Sequence, residues 1–349
     1  MEVKVLITGC GGGSVGQQIL KALRLSDYKY HIIGTDIKQL SKGAKTADTF
    51  VIVPRADDID YIETIFNICR ENKVSAIFPG SEAELVILSK NKDIFINSGI
   101  HIFANDMSLI DVCMDKAKTV EFLRNHGFKY PKTIEITKLE DFDNSIEFPI
   151  VLKPSTQSGG SMNVMVAQNL SELKLFATYL LNIYSKFIIQ EYIGSPNEEY
   201  TVGLLYDNDY NFVNSICLKR DLSGGLNQRL KVPNNTPNET LGSHLVISSG
   251  ISQGEISEFK DVREVCEKIG QKLSPKCAIN VQCRKQNDEI YVFEINPRFS
   301  GTTSLRAMVG YNEPDVLIRK HILQENIETN FTYSNAQIVR GLDEHIFKF

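Results

Sequence analysis

Three oxygen-bearing side chains late in the chain have the types and spacing of a metal site. Gln282 lies in one apolar, strand-like segment, and Glu294 and Asn296 lie in the next. A short polar turn centred on Asp288 joins the segments and predicts a β-hairpin with Gln282 opposite Glu294. Glu294 and Asn296 are two positions apart, so they share one face of their strand. Their oxygens suit magnesium or manganese rather than zinc.

Two cations could bind phosphate. Arg298 lies two positions beyond Asn296, and Lys153 ends the strand-like segment 149–153. A loop rich in glycine and hydroxyl groups follows Lys153, and its backbone N–H groups could surround phosphate oxygens. The G-x-x-x-x-G-K-S/T order of a P-loop is absent, so an ordinary hairpin turn is the alternative. The loop candidates are Ser155, Ser158, Gly159, Gly160 and Ser161.

Two carboxylates follow strand-like segments elsewhere. Glu191 ends an apolar strand, where a charge is unusual unless it has a partner, although a surface position is also possible. Glu82 follows the strand end Pro79-Gly80-Ser81. Open parallel sheets bind ligands at the carboxyl ends of their strands, so we expect Glu82 to face a substrate.

The N-terminal glycines permit a different chemistry. Gly11, Gly13 and Gly16 follow a strand and open a helix, and Asp36 lies 20 residues beyond Gly16. This is the dinucleotide-binding pattern, which taken alone favours NAD. The alternative is a scaffold turn, because any doubly wound domain needs glycine where its first strand turns tightly into a helix.

Composition narrows the class of protein. The 349 residues are 42% hydrophobic and 23% charged, with a formal net charge of −5, so we expect neither nucleic acid nor membrane partners. Seven scattered cysteines without a C-x-x-C pair indicate neither a zinc site nor a disulfide framework. These features, and a strand at the very start of the chain, predict a cytoplasmic protein.

Periodicity places these residues on three units. Strand–helix alternation up to residue 107 predicts a doubly wound parallel sheet with helices on both faces. The pattern of residues 108–190 predicts a small α+β unit, in which Ser171 is placed to cap the helix 170–182. Residues 191–349 read as a larger α+β unit that carries the hairpin and a loop-rich stretch, 221–257.

The order of these motifs resembles the ATP-grasp superfamily. Phe293-Glu294-Ile295-Asn296-Pro297-Arg298 is similar to the synthetase unit of carbamoyl-phosphate synthase large chains, to amino-acid ligases and to biotin-carboxylase-like enzymes. The resemblance covers nearly the whole chain and implies a doubly wound pre-ATP-grasp domain (1–107), a small ATP-grasp lobe (108–190) and a large lobe (191–349). It also implies ATP and magnesium as cofactors.

The same resemblance implies roles for individual residues. Lys116 and Lys153 would contact ATP phosphates, and Arg298 would bind the γ-phosphate or an acyl-phosphate. Arg220 matches a cation near the reacting carboxylate, and Glu199 would bind the ribose. The adenine would meet a hinge formed by Gln190, Glu191, Tyr192 and Ile193.

We therefore expect an ATP-dependent ligase that joins a small-molecule carboxylate to an amine. A homodimer is common among the enzymes that the chain resembles. A single synthetase unit and Lys116, where synthetase large chains usually have arginine, argue against complete carbamoyl-phosphate synthesis. The alternatives are a bicarbonate-using, carboxyphosphate-forming enzyme, an NAD-dependent oxidoreductase and a non-catalytic nucleotide-binding module. The substrate candidates after the hairpin are Ser300, Gly301, Thr302 and Arg306. Arg306 is a candidate clamp for a substrate carboxylate, and a surface position on a helix is the alternative.

Overall fold

The N-terminal unit is built on a parallel sheet, in a computed structural model that describes residues 2–142, 145–156, 162–342 and 344–346. Its strands are β1 (Lys4–Ile7), β2 (His31–Asp36), β3 (Thr49–Ile52), β4 (Ala76–Phe78) and β5 (His101–Ile102). Its helices are α1 (Val15–Arg24), α2 (Gly43–Thr46), α3 (Tyr61–Asn72), α4 (Glu82–Lys90) and α5 (Lys92–Ile96). The strand order β3-β2-β1-β4-β5 confirms the predicted doubly wound architecture.

The strand order reverses between β1 and β4. Connections from β1 run to one side of the sheet and those from β4 to the other, so the loops after these two strands diverge. Ser14 caps α1 after β1, and Ser81 caps α4 after β4, each by accepting a backbone N–H bond. The two helix starts therefore border a crevice at the carboxyl end of the sheet.

A four-stranded antiparallel sheet forms the next unit. It follows the helices α6 (Met107–Met114) and α7 (Lys116–Asn125), and its order is β6-β9-β7-β8. The elements are β6 (Thr133–Ile136), β7 (Ile150–Pro154), β8 (Met165–Ala167), α8 (Leu170–Leu181) and β9 (Phe187–Glu191). The prediction that Ser171 caps α8 is wrong, because Asn169 begins the helix and its side chain accepts from Glu172 N–H.

A six-stranded antiparallel sheet forms the last unit, in the order β16-β15-β10-β11-β14-β17. Its strands are β10 (Glu199–Tyr206), β11 (Phe212–Arg220), β14 (Gly254–Ser257), β15 (Ile279–Gln286), β16 (Glu289–Asn296) and β17 (Ala336–Ile338). Its helices are α9 (Lys260–Leu273), α10 (Thr303–Met308) and α11 (Glu313–His321). Short 3₁₀ helices lie at Leu139–Asp141, Pro196–Glu198, Gly225–Asn227 and Glu239–Leu241.

The stretch 221–257 is more regular than predicted. It contains a separate two-stranded sheet, β12 (Gln228–Pro233) with β13 (His244–Ser248), as well as β14. Half-buried positions alternate with exposed ones along β12, so no fully buried face marks it as a strand in the sequence. This small sheet covers Tyr192, whose hydroxyl accepts from Val246 N–H at 2.7 Å.

Two packing arrangements bear on the predicted three-part division, which stays a prediction. Leu109 of α6 and Leu123 of α7 share a core with Val202 of the six-stranded sheet. The prediction instead groups both leucines with the small unit, 108–190. Ile7 of the parallel sheet shares another core with Leu317 of α11. The N-terminal unit and the six-stranded sheet are thus held against each other by continuous apolar packing.

Candidate functional site

Two adjacent cavities lie where the three units meet. The hinge cavity lies between the four-stranded and six-stranded sheets, and its lining includes Lys153, Gln190, Glu191, Tyr192, Ile193, Glu199 and Arg284. The interface cavity has a volume of about 240 Å³, and its lining includes Gly13, Ser14, Glu82, Arg220, Asn296, Arg298, Ser300 and Gly301. Lys116, Gln282 and Glu294 line both cavities and form a shared wall.

The hairpin of β15 and β16 positions the predicted metal ligands with the help of a β-bulge. Asn287 and Asp288 form a two-residue turn and both have positive φ, 50° and 62°, as in a type I′ turn. Counting from that turn would set Gln282 opposite Phe293. A β-bulge takes up Phe293 as an extra residue and pairs Gln282 with Glu294.

The bulge brings the three ligand candidates to one place. Gln282 Nε2 donates to Glu294 Oε2 at 3.3 Å, and Asn296 lies one step further along the same face. Among the described residues, no group of three or more His, Cys, Asp or Glu side chains could hold a metal ion. A site here therefore depends on two amide oxygens and one carboxylate, a hard donor set that suits magnesium.

Lys153 projects from β7 toward the shared wall. It is 6% exposed, and its Nζ donates to Gln190 Oε1 at 2.8 Å. Nζ also lies 3.5 Å from the carbonyl oxygen of the bulged residue Phe293. Burial lowers the pKa of Lys153 to about 7, and the neighbouring charge of Lys116 acts in the same direction. This ammonium group lacks enough nearby negative charge to keep its ordinary pKa, which suits it to an anionic ligand.

Lys153 should therefore take up a proton when a nucleoside triphosphate binds. With a pKa of about 7, the free lysine is mostly neutral at about pH 8.5, and polyphosphate favours its charged form. We expect an uptake of about one proton at pH 8.5, about half at pH 7 and almost none at pH 6. Calorimetric titration with magnesium and AMP-PNP, in phosphate and Tris buffers, measures this uptake.

The control for this linkage is a methionine substitution. Lys153→Met should abolish the proton uptake, whereas Lys118→Met, on the exposed side of α7, should retain it. An uptake that persists in Lys153→Met would assign the proton to another group.

The four hinge candidates all line the hinge cavity. Gln190 is 3% exposed, and its Nε2 donates to Thr133 Oγ1 at 2.8 Å while its Oε1 holds Lys153. Glu191 Oε2 accepts from Lys132 N–H at 3.2 Å, which supplies the partner that its strand-end position demanded. The buried Tyr192 and Ile193 then close one wall of the hinge cavity.

Glu199 lines the hinge cavity, but its surroundings differ from the expected ribose contact. Its carboxylate is 2% exposed and lies between two arginines, 3.1 Å from Arg220 Nη1 and 2.9 Å from Arg284 Nη2. Burial raises the pKa of Glu199, but both guanidinium groups outweigh burial and leave that pKa below its ordinary value. Both oxygens are thus engaged within the protein, and Glu199 anchors the two arginines.

Arg284 is the main residue that the sequence reasoning missed. Its guanidinium lies 4.6 Å from the centre of the Tyr192 ring, and it donates to Ile193 O at 3.1 Å and Val246 O at 2.7 Å. The available signal was strand alternation, because Arg284 lies two positions after Gln282 on the same face of β15. It therefore joins the hinge to β15, the strand of the metal-ligand candidate Gln282.

Arg220 and Arg298 line the interface cavity at different depths. Arg220 is 5% exposed, and its Nη2 donates to Ser249 O at 2.7 Å. Arg298 Nη2 donates to Asn296 Oδ1 at 3.2 Å and to Glu82 Oε1 at 2.9 Å. Glu82 thus lines the interface cavity at the point where the strand order of the parallel sheet reverses.

The predicted phosphate loop is only partly described. Ser155 Oγ donates to Asp115 Oδ1 at 3.1 Å, and Lys116 N–H donates to Ser155 O at 3.0 Å. These bonds tie the start of the loop to the first turn of α7. The remaining loop candidates, Ser158, Gly159, Gly160 and Ser161, lie outside the described residues.

The substrate candidates after the hairpin divide into two groups. Ser300 and Gly301 line the interface cavity, whereas the buried Thr302 donates its hydroxyl to Ser300 Oγ at 2.9 Å. Arg306 does not act as the predicted clamp for a substrate carboxylate. It is 1% exposed and pairs with Glu313 at 2.9 Å, so its charge is neutralised within the core.

The N-terminal glycine turn has a structural reason for its composition. A Cβ on Gly16 would lie 2.4 Å from Thr8 O, so only glycine lets α1 pack against the end of β1. Asp36 accepts hydrogen bonds from Ile37 N–H at 2.8 Å and from Ser41 Oγ at 3.2 Å, and so stabilises the loop in which it lies. The scaffold interpretation accounts for these residues, while Gly13 and Ser14 line the interface cavity.

Fold and site together define a class of protein with a parallel N-terminal domain and two antiparallel lobes that enclose a cation-lined cleft. Residues 113–302 match the ATP-grasp domain family, and residues 5–103 match the N-terminal domain of PylC-like proteins. The chain belongs to the ATP-grasp family. No helix in the described part of the chain has the length and apolar character needed to cross a membrane.

The chain is also similar to individual known proteins. The carbamoyl phosphate synthase large chain of Helicobacter pylori is 24% identical, over 99% of this chain but 31% of its own length. The chain thus spans about a third of such relatives. The D-alanine–D-alanine ligase of Bacillus anthracis, solved with ATP, has a TM-score of 0.58 at 17% identity, and the match covers 93% of this chain and 98% of that one.

A second similar structure contains bound nucleotide, magnesium and bicarbonate. The biotin carboxylase domain dimer of Hydrogenobacter thermophilus 2-oxoglutarate carboxylase was solved with MgADP, ADP and bicarbonate. It matches with a TM-score of 0.61 at 15% identity, over 91% of this chain and 69% of that one. At such identities the likeness establishes a shared fold.

Proposed function

We propose that this chain is an ATP-dependent ligase that activates a carboxylate as an acyl-phosphate for attack by an amine. The observation that carries the proposal is the wall shared by the two cavities. Gln282 and Glu294 face the hinge cavity on one side and the interface cavity on the other. A nucleotide in the first cavity could thus present its phosphates to a carboxylate in the second.

The residues present fit ATP and magnesium. Gln282, Glu294 and Asn296 would hold the metal, and Lys116, Lys153 and Arg298 would contact the phosphates. Ser155 and the loop after it would cover them, and the hinge from Gln190 to Ile193 would receive the adenine. The support is electrostatic, since burial and the charge of Lys116 lower the pKa of the Lys153 ammonium, and the negative charge of a bound polyphosphate would oppose both effects.

Carboxylates need this activation because their charge repels nucleophiles and oxide is a poor leaving group. Transfer of the γ-phosphoryl group forms a bond from phosphorus to a carboxylate oxygen and breaks the bond to ADP. The amine then attacks the acyl carbon, loses a proton and displaces inorganic phosphate. When bound, magnesium supplies charge neutralisation at the phosphate oxygens. Lys153 and Arg298 orient the phosphoryl group, and Arg220 meets the carboxylate.

Carboxyphosphate formation from bicarbonate is the second candidate. Its support is the similarity to carbamoyl phosphate synthase large chains over 99% of this chain. The same residues would act, with bicarbonate in place of the organic carboxylate.

We also propose that the enzyme works in the cytoplasm on small-molecule substrates and forms a homodimer. All seven cysteines are free and buried, which suits a reducing compartment. The structural relative from Hydrogenobacter thermophilus is described as a dimer, which supports the oligomeric state. The division into a pre-ATP-grasp domain, 1–107, a small lobe, 108–190, and a large lobe, 191–349, belongs to the same proposal.

The test is the release of ADP in the presence of a panel of amino acids and bicarbonate, with hydroxylamine added to trap the acyl-phosphate. We expect a hydroxamate whose formation requires both ATP and one particular carboxylate. A hydroxamate should be absent with bicarbonate alone if the organic carboxylate is the substrate. ADP release that is independent of every carboxylate, with no trapped product, would contradict the ligase proposal.

A further inference from the structure

An ion pair between Glu82 and Arg298 crosses the interface cavity. Glu82 Oε1 lies 2.9 Å from Arg298 Nη2, and the two side chains are 30% and 16% exposed. Glu82 begins α4 at the carboxyl end of the parallel sheet, whereas Arg298 follows β16. The pair therefore joins the N-terminal unit to the hairpin that carries the proposed metal ligands.

The guanidinium of Arg298 is occupied by protein oxygens. Its Nη2 is shared between Glu82 Oε1 and Asn296 Oδ1, at 2.9 and 3.2 Å, and its Nη1 donates to Phe299 O at 3.0 Å. A phosphate is bound best through two parallel N–H bonds from one guanidinium. Arg298 can make such a contact only by giving up part of this arrangement, and the charged bond to Glu82 is the strongest part of it.

The position of Glu82 is fixed by the fold. Ser81 caps α4, and Leu85 and Leu88 of the same helix are buried in the N-terminal unit. That unit shares an apolar core with α11 of the large lobe, so the separation across the cavity is set by packed elements. Release of Arg298 must then come from side-chain rotation and not from movement of the two units apart.

Charge around Glu82 keeps the pair intact at neutral pH. Burial raises the pKa of the Glu82 carboxyl group, but the charge and hydrogen bond of Arg298, with the charge of Lys116, leave it below its ordinary value. Glu82 is therefore a permanent negative charge beside the site proposed for the γ-phosphate, where it competes with phosphate for the same arginine.

We propose that Glu82 is a positioning residue that holds Arg298 away from the γ-phosphate until a substrate carboxylate enters the interface cavity. The inference rests on the proposed function, because it takes Arg298 as a phosphate-binding residue. An incoming carboxylate displaces Glu82 from the guanidinium, and Arg298 then turns toward the phosphoryl group together with the carboxylate that will receive it. The pair would thereby limit hydrolysis of ATP in the absence of substrate.

The test compares a triphosphate with a diphosphate. Calorimetry measures the binding of magnesium with AMP-PNP and of magnesium with ADP to the intact chain and to Glu82→Gln, Arg298→Met and the double variant. We expect Glu82→Gln to bind AMP-PNP about tenfold more tightly and ADP within about twofold of the parent. In the Arg298→Met background, Glu82→Gln should change AMP-PNP binding by less than about twofold.

One further measurement and two further variants sharpen the result. ATP hydrolysis without added carboxylate should rise about fivefold in Glu82→Gln. Glu82→Asp keeps the charge but shortens the side chain, so it should give a smaller gain in AMP-PNP affinity and guards against misfolding of the first variant. Glu71→Gln, which removes the same charge from an exposed site on α3, should change neither affinity.

Three outcomes would overturn the proposal. They are an equal gain for ADP and AMP-PNP, an equal gain with and without Arg298, and no gain for AMP-PNP in either Glu82 variant. Failure of the proposed function has a different signature, since the parent chain would then bind neither nucleotide.

Discussion

Glu294→Ala is expected to lower the rate of carboxylate-dependent ADP formation about a thousandfold while the chain stays folded. Glu294 is the one carboxylate of the proposed metal set, and Gln282 and Asn296 contribute only neutral amide oxygens. Removing the charge therefore removes most of the electrostatic attraction for a divalent cation. Glu294→Gln keeps the size and the hydrogen-bonding capacity of the side chain, so it should lose nearly as much activity.

Two measurements separate a metal effect from a general one. Binding of Mn²⁺ in the presence of ADP, followed by electron paramagnetic resonance, should weaken at least tenfold in Glu294→Gln. Glu289→Ala is the matched control, because Glu289 lies on the same strand, is 45% exposed and pairs with Lys129 at 3.0 Å. Equal ADP formation by Glu294→Ala and the parent would show that the metal assignment is wrong.

Arg306→Met is expected to destabilise the protein by about 3–5 kcal/mol. Arg306 and Glu313 are 1% and 0% exposed and lie 2.9 Å apart, so the substitution leaves a buried carboxylate without its counter-ion. Arg306 Nη2 also donates to Asn280 Oδ1 at 2.6 Å, and Thr303 Oγ1 donates to Glu313 Oε2 at 2.9 Å. The loss of one guanidinium therefore disturbs a connected buried network.

Urea unfolding, followed by circular dichroism, measures the loss. Arg306→Met with Glu313→Leu removes both charges and should recover at least half of the lost stability. The exposed pair of Lys260 and Glu264, 3.7 Å apart, provides the control, and Lys260→Met should change stability by less than about 0.5 kcal/mol. If Arg306→Met costs no more than the Lys260 variant, the ion pair does not stabilise the core.

This network also explains why Arg306 could not be placed from sequence. An arginine shortly after a metal hairpin has the charge of a substrate clamp, and nothing in its neighbours along the chain reveals burial. In the folded protein it crosses β10 at Gly203, where a Cβ would lie 2.1 Å from Arg306 Nη1. Its partners come from α11 and β15, which are brought together only by tertiary packing.

Local patterns were sufficient for much of the architecture. The alternation of strands and helices up to residue 107 determined the doubly wound sheet, because buried parallel strands and amphipathic helices have different hydrophobic periods. The positions of Lys153, Glu82 and the hinge strand followed from where apolar segments end. Ser171 and the stretch 221–257 show the limit of such patterns, since capping and the pairing of half-exposed strands depend on contacts that one segment does not contain.

The hairpin of β15 and β16 shows most clearly what the sequence determined and what the tertiary structure decided. The sequence by itself determined that Gln282, Glu294 and Asn296 lie on two adjoining strands, because residue type and spacing are local properties. Their spacing also put Glu294 and Asn296 on one face of their strand, whereas tertiary structure decided that Gln282 pairs with Glu294 on that face. The turn at Asn287 and Asp288 sets a register that is one residue away from this pairing, and the bulge at Phe293 restores it. Phe293 packs beside Lys153 of the other lobe, with Nζ 5.6 Å from the ring centre. Because strand side chains alternate between faces, this single extra residue turns Glu294 toward the cleft.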